Sequence, residues 1–190
     1  FNQKIQILKL KNKDPKYTLM VDKYSVRELI KKELGEEYLI PLIGVWDNFD
    51  DIDFDLLPNQ FILKPTHYSG KVFICKDKSR FDIDAVRKKI NRILRRNYFY
   101  VGREFPYKNV QPRIICEKYM VDESGTELKD YKFFCFNGEP EVLFVASDRF
   151  GDVKFDFYDM QLNRLPFTTG NHNFSKESIT RIDSFGEMIE

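Results

Sequence analysis

The chain has 190 residues, of which 42% are hydrophobic and 15% aromatic, and its 31 lysines and arginines nearly balance its 30 aspartates and glutamates. That length and apolar content exclude a disordered segment and suit one large domain or two small ones. A net charge of +1 excludes a global field that would gather nucleic acid, so any cationic site must be local.

Cys75, Cys116 and Cys135 lie in apolar runs without CxxC spacing, and only two histidines accompany them. This argues for buried, reduced thiols and a cytoplasmic setting, and against a zinc site. No apolar run has the length of a membrane span, and no signal peptide opens the chain. Because the sequence starts at Phe1 instead of methionine, a preceding stretch is expected to be missing.

Residues 1–17 mix Ile5, Ile7, Leu8 and Leu10 with lysines and end near Asp14 and Pro15, which reads as a short helix or an extended lead-in. Ser25 and Glu28 have capping-box spacing, while Val26, Leu29, Ile30 and Leu34 share one face, predicting a helix from Asp22 or Ser25 to Leu34. Residues 38–46, apolar around Pro41 and ending at Trp46, predict a buried strand, followed by an acidic loop over 47–55.

Residues 61–78 read FILKPTHYSGKVFICKDK. An apolar strand carries Lys64 to its end, a polar loop with Ser69, Gly70 and Lys71 turns the chain, and a second strand returns it beside Lys76. Phosphate suits such a mouth, since loop N–H groups and a lysine on a strand act on it together. A solvated edge lysine is the plainer alternative. His67 offers a donor to phosphate, but a partly exposed loop histidine is the simpler expectation.

Asp82 caps a predicted helix whose Ile83, Val86, Ile90, Ile93 and Leu94 fall on one face. Its other face carries Arg87, Lys88, Arg92, Arg95 and Arg96, read first as a solvated surface and second as a site for an acidic polymer or a lipid-linked phosphate. An aromatic connector over 97–109 leads to RIICEKYM, a buried strand running into charged residues, and then to a polar insert over 121–129.

Residues 130–136 alternate, with Asp130, Lys132 and Phe134 on one face and Tyr131, Phe133 and Cys135 on the other. Asn137-Gly138 marks a hairpin turn, and strands over 141–147 and 153–158 complete a meander. Arg149 supplies a planar fork for a carboxylate or phosphate, with an ion pair to Asp148 or Asp152 as the structural alternative. Residues 167–175 read as loop and 184–190 as the first turns of a helix. The order of elements is α+β, with helices on antiparallel sheets. It divides into a helical and strand segment over 1–60, a phosphate-loop hairpin and helix over 61–110, and a hinge with an antiparallel sheet over 111–190.

Asp22-Lys23 at a helix start, then KYSVRELI, GEEYLIPLIGVWD, LPNQFILK, CKDKSRFD, GREFPYKNVQPRIICEKYM and LKDYKFFCFNGEPE, in that order, resemble the TupA-like group of the ATP-grasp superfamily, associated with teichuronopeptide and capsular polysaccharide synthesis. The resemblance spans nearly the whole chain. It implies two α/β lobes with a nucleotide cleft between them and ATP as the bound nucleotide. It places Lys64 on the phosphates with Lys76 nearby, Ser69 and Gly70 in the covering loop, Glu117, Lys118, Tyr119 and Met120 at the adenine hinge, and Asp130 at the ribose. Lys132 would point into the cleft, and Arg149, taken from its own planar fork and not from the resemblance, completes the candidate catalytic set with Lys64.

The implied reaction is phosphoryl transfer from ATP to a carboxylate, giving an acyl phosphate that an amine attacks. Partners would be a carboxylate-bearing sugar or glutamyl group and an amine, with no nucleic acid, no integral membrane segment, and peripheral contact with a lipid-linked substrate. Mg²⁺ is implied too, with its ligands expected beyond this chain, so no metal residue is assigned. The sequence departs from the pattern where Tyr68 and Lys71 flank Ser69-Gly70, which predicts a different loop closure or an aromatic cover for the nucleotide.

Two other classes remain open: a non-catalytic nucleotide- or glycan-binding module, and a polysaccharide-cluster glycosyltransferase. For the latter, Asp51-Ile52-Asp53 and Asp82-Ile83-Asp84 have the DxD letters but lie in an acidic loop and at a helix start. Neither a Walker A motif nor a nucleophile elbow is present.

Overall fold

Apolar alternation along two groups of strands builds two separate antiparallel sheets. The structure is a computed structural model and describes residues 2–122, 125, 128–148 and 151–189. The chain divides into two compact units, Phe1–Tyr119 and Met120–Glu190, each of mixed helix and antiparallel sheet, as the α+β reading expects.

The first unit opens with helices α1 (Asn2–Lys11), α2 (Lys16–Val21) and α3 (Val26–Glu33). The second of these was not anticipated. Asp14 and Pro15 start it instead of ending the lead-in, because the Asp14 carboxylate accepts the Lys16 N–H at 3.0 Å and proline tolerates a first helical turn. The capping box expected for α3 also does not form. Ser25 is itself helical in φ and ψ and makes no cap, and buried Asp22 accepts the Tyr24 N–H and the Ser25 hydroxyl.

Strands β1 (Leu42–Trp46), β2 (Phe61–Pro65) and β3 (Phe73–Cys75) follow, then helices α4 (Ile83–Leu94) and α5 (Phe99–Gly102) and strand β4 (Ile114–Lys118). The sheet order is β1-β4-β2-β3, so β4, last in sequence, sits inside the sheet between two earlier strands. Pro41 ends the approach to β1, and its carbonyl accepts the Lys118 N–H at 3.0 Å. Gly44 is required because the Trp46 ring folds back over it: a Cβ there would meet the indole at 2.3 Å.

One face of this sheet is the core. Phe61, Leu63, Cys75, Ile114 and Cys116 pack with Phe49, Ile52 and Leu57 of the 47–60 segment and with Ile90 of α4. Each such side chain contributes about 1.5–3 kcal/mol by leaving water. Asp82 caps α4 as expected, accepting the Ala85 N–H at 2.8 Å.

In the second unit, β5 (Asp130–Phe136), β6 (Glu139–Ser147) and β7 (Lys154–Tyr158) form the meander, and α6 (Phe185–Ile189) closes it. Asn137 and Gly138 have φ of 55° and 91°, the left-handed pair that a tight two-residue hairpin demands. Leu143, Val145 and Tyr158 form the buried centre, with Tyr131, Phe133, Met160 and Phe185 against it. Cys135 corrects the expectation of three buried thiols, for it is exposed. The ladder slips after Phe134, leaving Cys135 opposite Pro140, and Phe133 is the last residue of β5 to reach the core. Among the described residues no helix is long and apolar enough to cross a membrane.

Candidate functional site

Because side chains alternate along β2, burying Phe61 and Leu63 turns Ile62 and Lys64 to the opposite face. In register, Ile62 lies opposite Glu117 and Lys64 opposite Ile115, so Lys64 and Glu117 are diagonal neighbours on that face. Lys64 Nζ lies 2.5 Å from Glu117 Oε2, and Arg27 of α3 donates to Oε1 at 2.9 Å. The second guanidinium nitrogen of Arg27 binds the Ile40 carbonyl at 2.7 Å, fixing the arginine in place. Both bonds to the carboxylate are charge-assisted. Glu117 is buried at 6% exposure, so it forms no surface pair with its exposed neighbour Lys118.

Lys23 joins this group from the turn before α3. Its backbone N–H donates to the Thr66 carbonyl and its ammonium to the Tyr68 carbonyl at 2.6 Å, tying the helix entry to the end of β2. Burial holds the Lys23 ammonium below its usual pKa of 10.5, and the neighbouring charge of Lys64 lowers it further. Beside it, Asp22 is paired with Arg113 at 3.1 Å. Among the described residues, four cations, Lys23, Arg27, Lys64 and Arg113, therefore meet two buried carboxylates, Asp22 and Glu117, with exposed Glu36 acting on Arg27 from the surface. A positive surplus in a partly buried patch is costly alone and is relieved by an anion. Lys23 and Arg27 carry as much of the site as Lys64, yet the sequence reading used Lys23 only to mark a helix start. The available signal was their spacing of four residues across the helix start, which sets two cations on one side of the entry to α3.

The loop after β2 is anchored on one side and open on the other. His67 is not the partly exposed histidine expected, being 2% exposed. Its Nε2 lies 3.1 Å from the carbonyl oxygens of both Ile93 and Arg96 at the end of α4. Two acceptors require that nitrogen to carry the proton, so His67 caps the helix end, while its Nδ1 is buried without a partner. Burial holds the imidazole below its ordinary pKa of 6.5, with the two carbonyls opposing the shift in part. The Tyr68 ring packs edge-on against Tyr98 at 4.7 Å, and Tyr98 against Tyr107 at 4.8 Å. The atypical tyrosine of the loop is thus a packing anchor in this structure. Ser69, Gly70 and Lys71 are exposed, and Gly70, at φ 74°, has nothing within 4 Å of where a Cβ would stand.

At the far end of the hairpin, Lys76 Nζ stands 5.8 Å above the Tyr119 ring, which brings the expected hairpin cation to the expected hinge. Met120 begins the second unit. In that unit Lys132 Nζ contacts Asp130 Oδ2 along the same strand and lies 5.4 Å from the Phe144 ring. This is a pair within one strand, not across two. Their face of the sheet is aromatic, with Phe144 packed against Phe155 and Phe157. Arg149 lies outside the described residues. Among the described residues no three His, Cys, Asp or Glu side chains converge to hold a metal ion.

A family model described as TupA-like ATP-grasp matches residues 3–190 of the chain. No curated protein and no solved structure gives a match.

Proposed function

The chain belongs to the TupA-like ATP-grasp family, and from that premise we propose that it binds ATP and activates a carboxylate for attack by an amine, in the assembly of a bacterial surface polysaccharide or teichuronopeptide. The cationic surplus around Lys64 is the observation that carries this reading: four positive groups share two buried carboxylates beside an open loop. Lys64 and Lys23 hold the phosphates, and the loop of Ser69 and Gly70 covers them. Bound ATP supplies the phosphoryl group that makes the carboxylate reactive.

Glu117 has a specific part in this arrangement. It keeps the Arg27 bond on one oxygen, so Lys64 can turn to a phosphate without leaving a buried carboxylate unpaired. The backbone of Lys118, Tyr119 and Met120 offers donors and acceptors to adenine, with Lys76 beside the Tyr119 ring. Asp130 accepts the ribose hydroxyls and Lys132 faces the phosphates, as the family resemblance implies, and Arg149 is assigned to the substrate carboxylate because its planar fork suits one.

ATP titrated onto the native chain and onto Lys64→Ala tests the pocket. The variant is expected to bind at least tenfold more weakly, as for loss of one charge-assisted contact of about 1.5–3 kcal/mol. Equal affinities overturn the assignment. ADP release that requires both a carboxylate and an amine would distinguish a ligase from a binding module.

A further inference from the structure

Burying Ile90 and Ile93 on one side of α4 leaves Arg87, Lys88, Asn91, Arg92, Arg95 and Arg96 as one contiguous stripe on the other. Their spacing of one and four residues repeats along roughly 14 Å of helix axis. Together these six side chains form one open patch of surface. Arg87 is neutralised by Asp50 and Asp84. Lys88, Arg92, Arg95 and Arg96 have no ion-pair partner among the described residues, in a chain whose charges otherwise nearly cancel. A surface that only needed solubility would intersperse both signs.

The residues just beyond the stripe indicate what it meets. Tyr100 and Val101 of α5 are 65% and 66% exposed, a tyrosine and a valine held out to solvent a few residues after Arg96. Arg103 lies 5.3 Å from the Tyr100 ring and Lys108 5.7 Å from that of Phe99. Cations followed closely in the chain by exposed apolar tips match the interface of an anionic bilayer, where basic groups meet headgroups while aromatic and aliphatic groups enter the boundary layer. A hydrated soluble polyanion offers a valine no apolar layer to enter, whereas the bilayer boundary does. We propose that the basic face of α4, with Tyr100 and Val101, docks this protein onto an anionic lipid surface. The inference does not depend on the nucleotide reading, because none of these residues belongs to the Lys64 cluster.

Co-sedimentation of the full chain with vesicles of phosphatidylcholine alone, and with vesicles about one-third phosphatidylglycerol, tests it. Partitioning is expected only into the anionic vesicles and is expected to weaken as salt rises. Each cation near such a surface strengthens partitioning about fivefold, so Lys88→Gln/Arg92→Gln/Arg95→Gln should reduce it on the order of a hundredfold. Val101→Ser, which changes no charge, should reduce it by about fivefold. Absence of binding to anionic vesicles overturns the proposal, as does a triple variant that binds like the native chain. Val101→Ser binding unchanged, alongside equal binding of soluble polygalacturonate, overturns it in favour of a polyanion site. An unaltered urea midpoint in each variant confirms that the fold is intact; should the triple variant not fold, the salt series and Val101→Ser decide.

Discussion

Lys64 Nζ lies 2.5 Å from Glu117 Oε2 on the sheet face turned away from the core, and Arg27 holds the other oxygen of the same carboxylate. Removing that carboxylate leaves Lys64, Arg27 and Lys23 facing one another in a partly buried patch. Glu117→Ala is therefore expected to lower unfolding free energy by about 3–5 kcal/mol, the usual result of stripping one partner from a buried pair. Urea unfolding measures this, and a loss below about 1 kcal/mol would show that the patch is hydrated.

Lys23 links the nucleotide reading to pH. Its ammonium titrates below the ordinary 10.5 because of burial and the Lys64 charge, so it loses its proton earlier than an exposed lysine as pH rises. ATP affinity should fall on the alkaline side as that charge is lost, and Lys23→Arg, whose guanidinium stays charged, should flatten the fall. Calorimetric titration between neutral and strongly alkaline pH compares the two.

His67 gives the fold its own acid sensitivity. Above pH 6.5 the imidazole is neutral whether the chain is folded or unfolded, and the cap on α4 is fully present. As pH falls below that value the unfolded chain takes up a proton that the native state resists, because Nδ1 is buried with no acceptor. Stability is thus present above 6.5 and is lost as pH falls through the lower folded value. Urea midpoints measured over this acidic range should decline in the native chain and decline less in His67→Gln.

The three thiols should separate by reactivity. Cys135 is exposed, while Cys75 and Cys116 are buried, and burial pushes the Cys116 thiol up to about 12 and raises that of Cys75. A colourless-to-coloured thiol reagent is expected to modify one cysteine in the native protein and all three after denaturation. Cys135→Ser should remove the native reaction, and a variant that still reacts rapidly would contradict the burial of the other two.

Local patterns carried much of the architecture. The Lys64 hairpin, the Asp82 cap, the Asn137-Gly138 turn and the alternation of residues 130–136 each rest on neighbouring residues whose geometry is fixed by the backbone, so each was legible. Misreadings arose where a residue answers to something distant in sequence. Ser25 has the right spacing for a cap, yet Asp22 is drawn into the role by Arg113, 91 residues away. His67 reads as a loop residue until the end of α4 supplies two carbonyls to it. Cys135 follows the alternation of β5, but the slipped register opposite Pro140 carries it past the core.

The sequence by itself determined the family, the strand that bears Lys64, the EKYM segment and the amphipathic division of α4, because periodicity and ordered motifs are local properties of the chain. Only the tertiary structure decided that β4 runs between β1 and β2 and so sets Glu117 against Lys64 and Arg27. Strand pairing across tens of residues joins charges whose spacing in sequence is silent, and the surplus of Lys23 and Arg27 around that one carboxylate exists only once the sheet has closed.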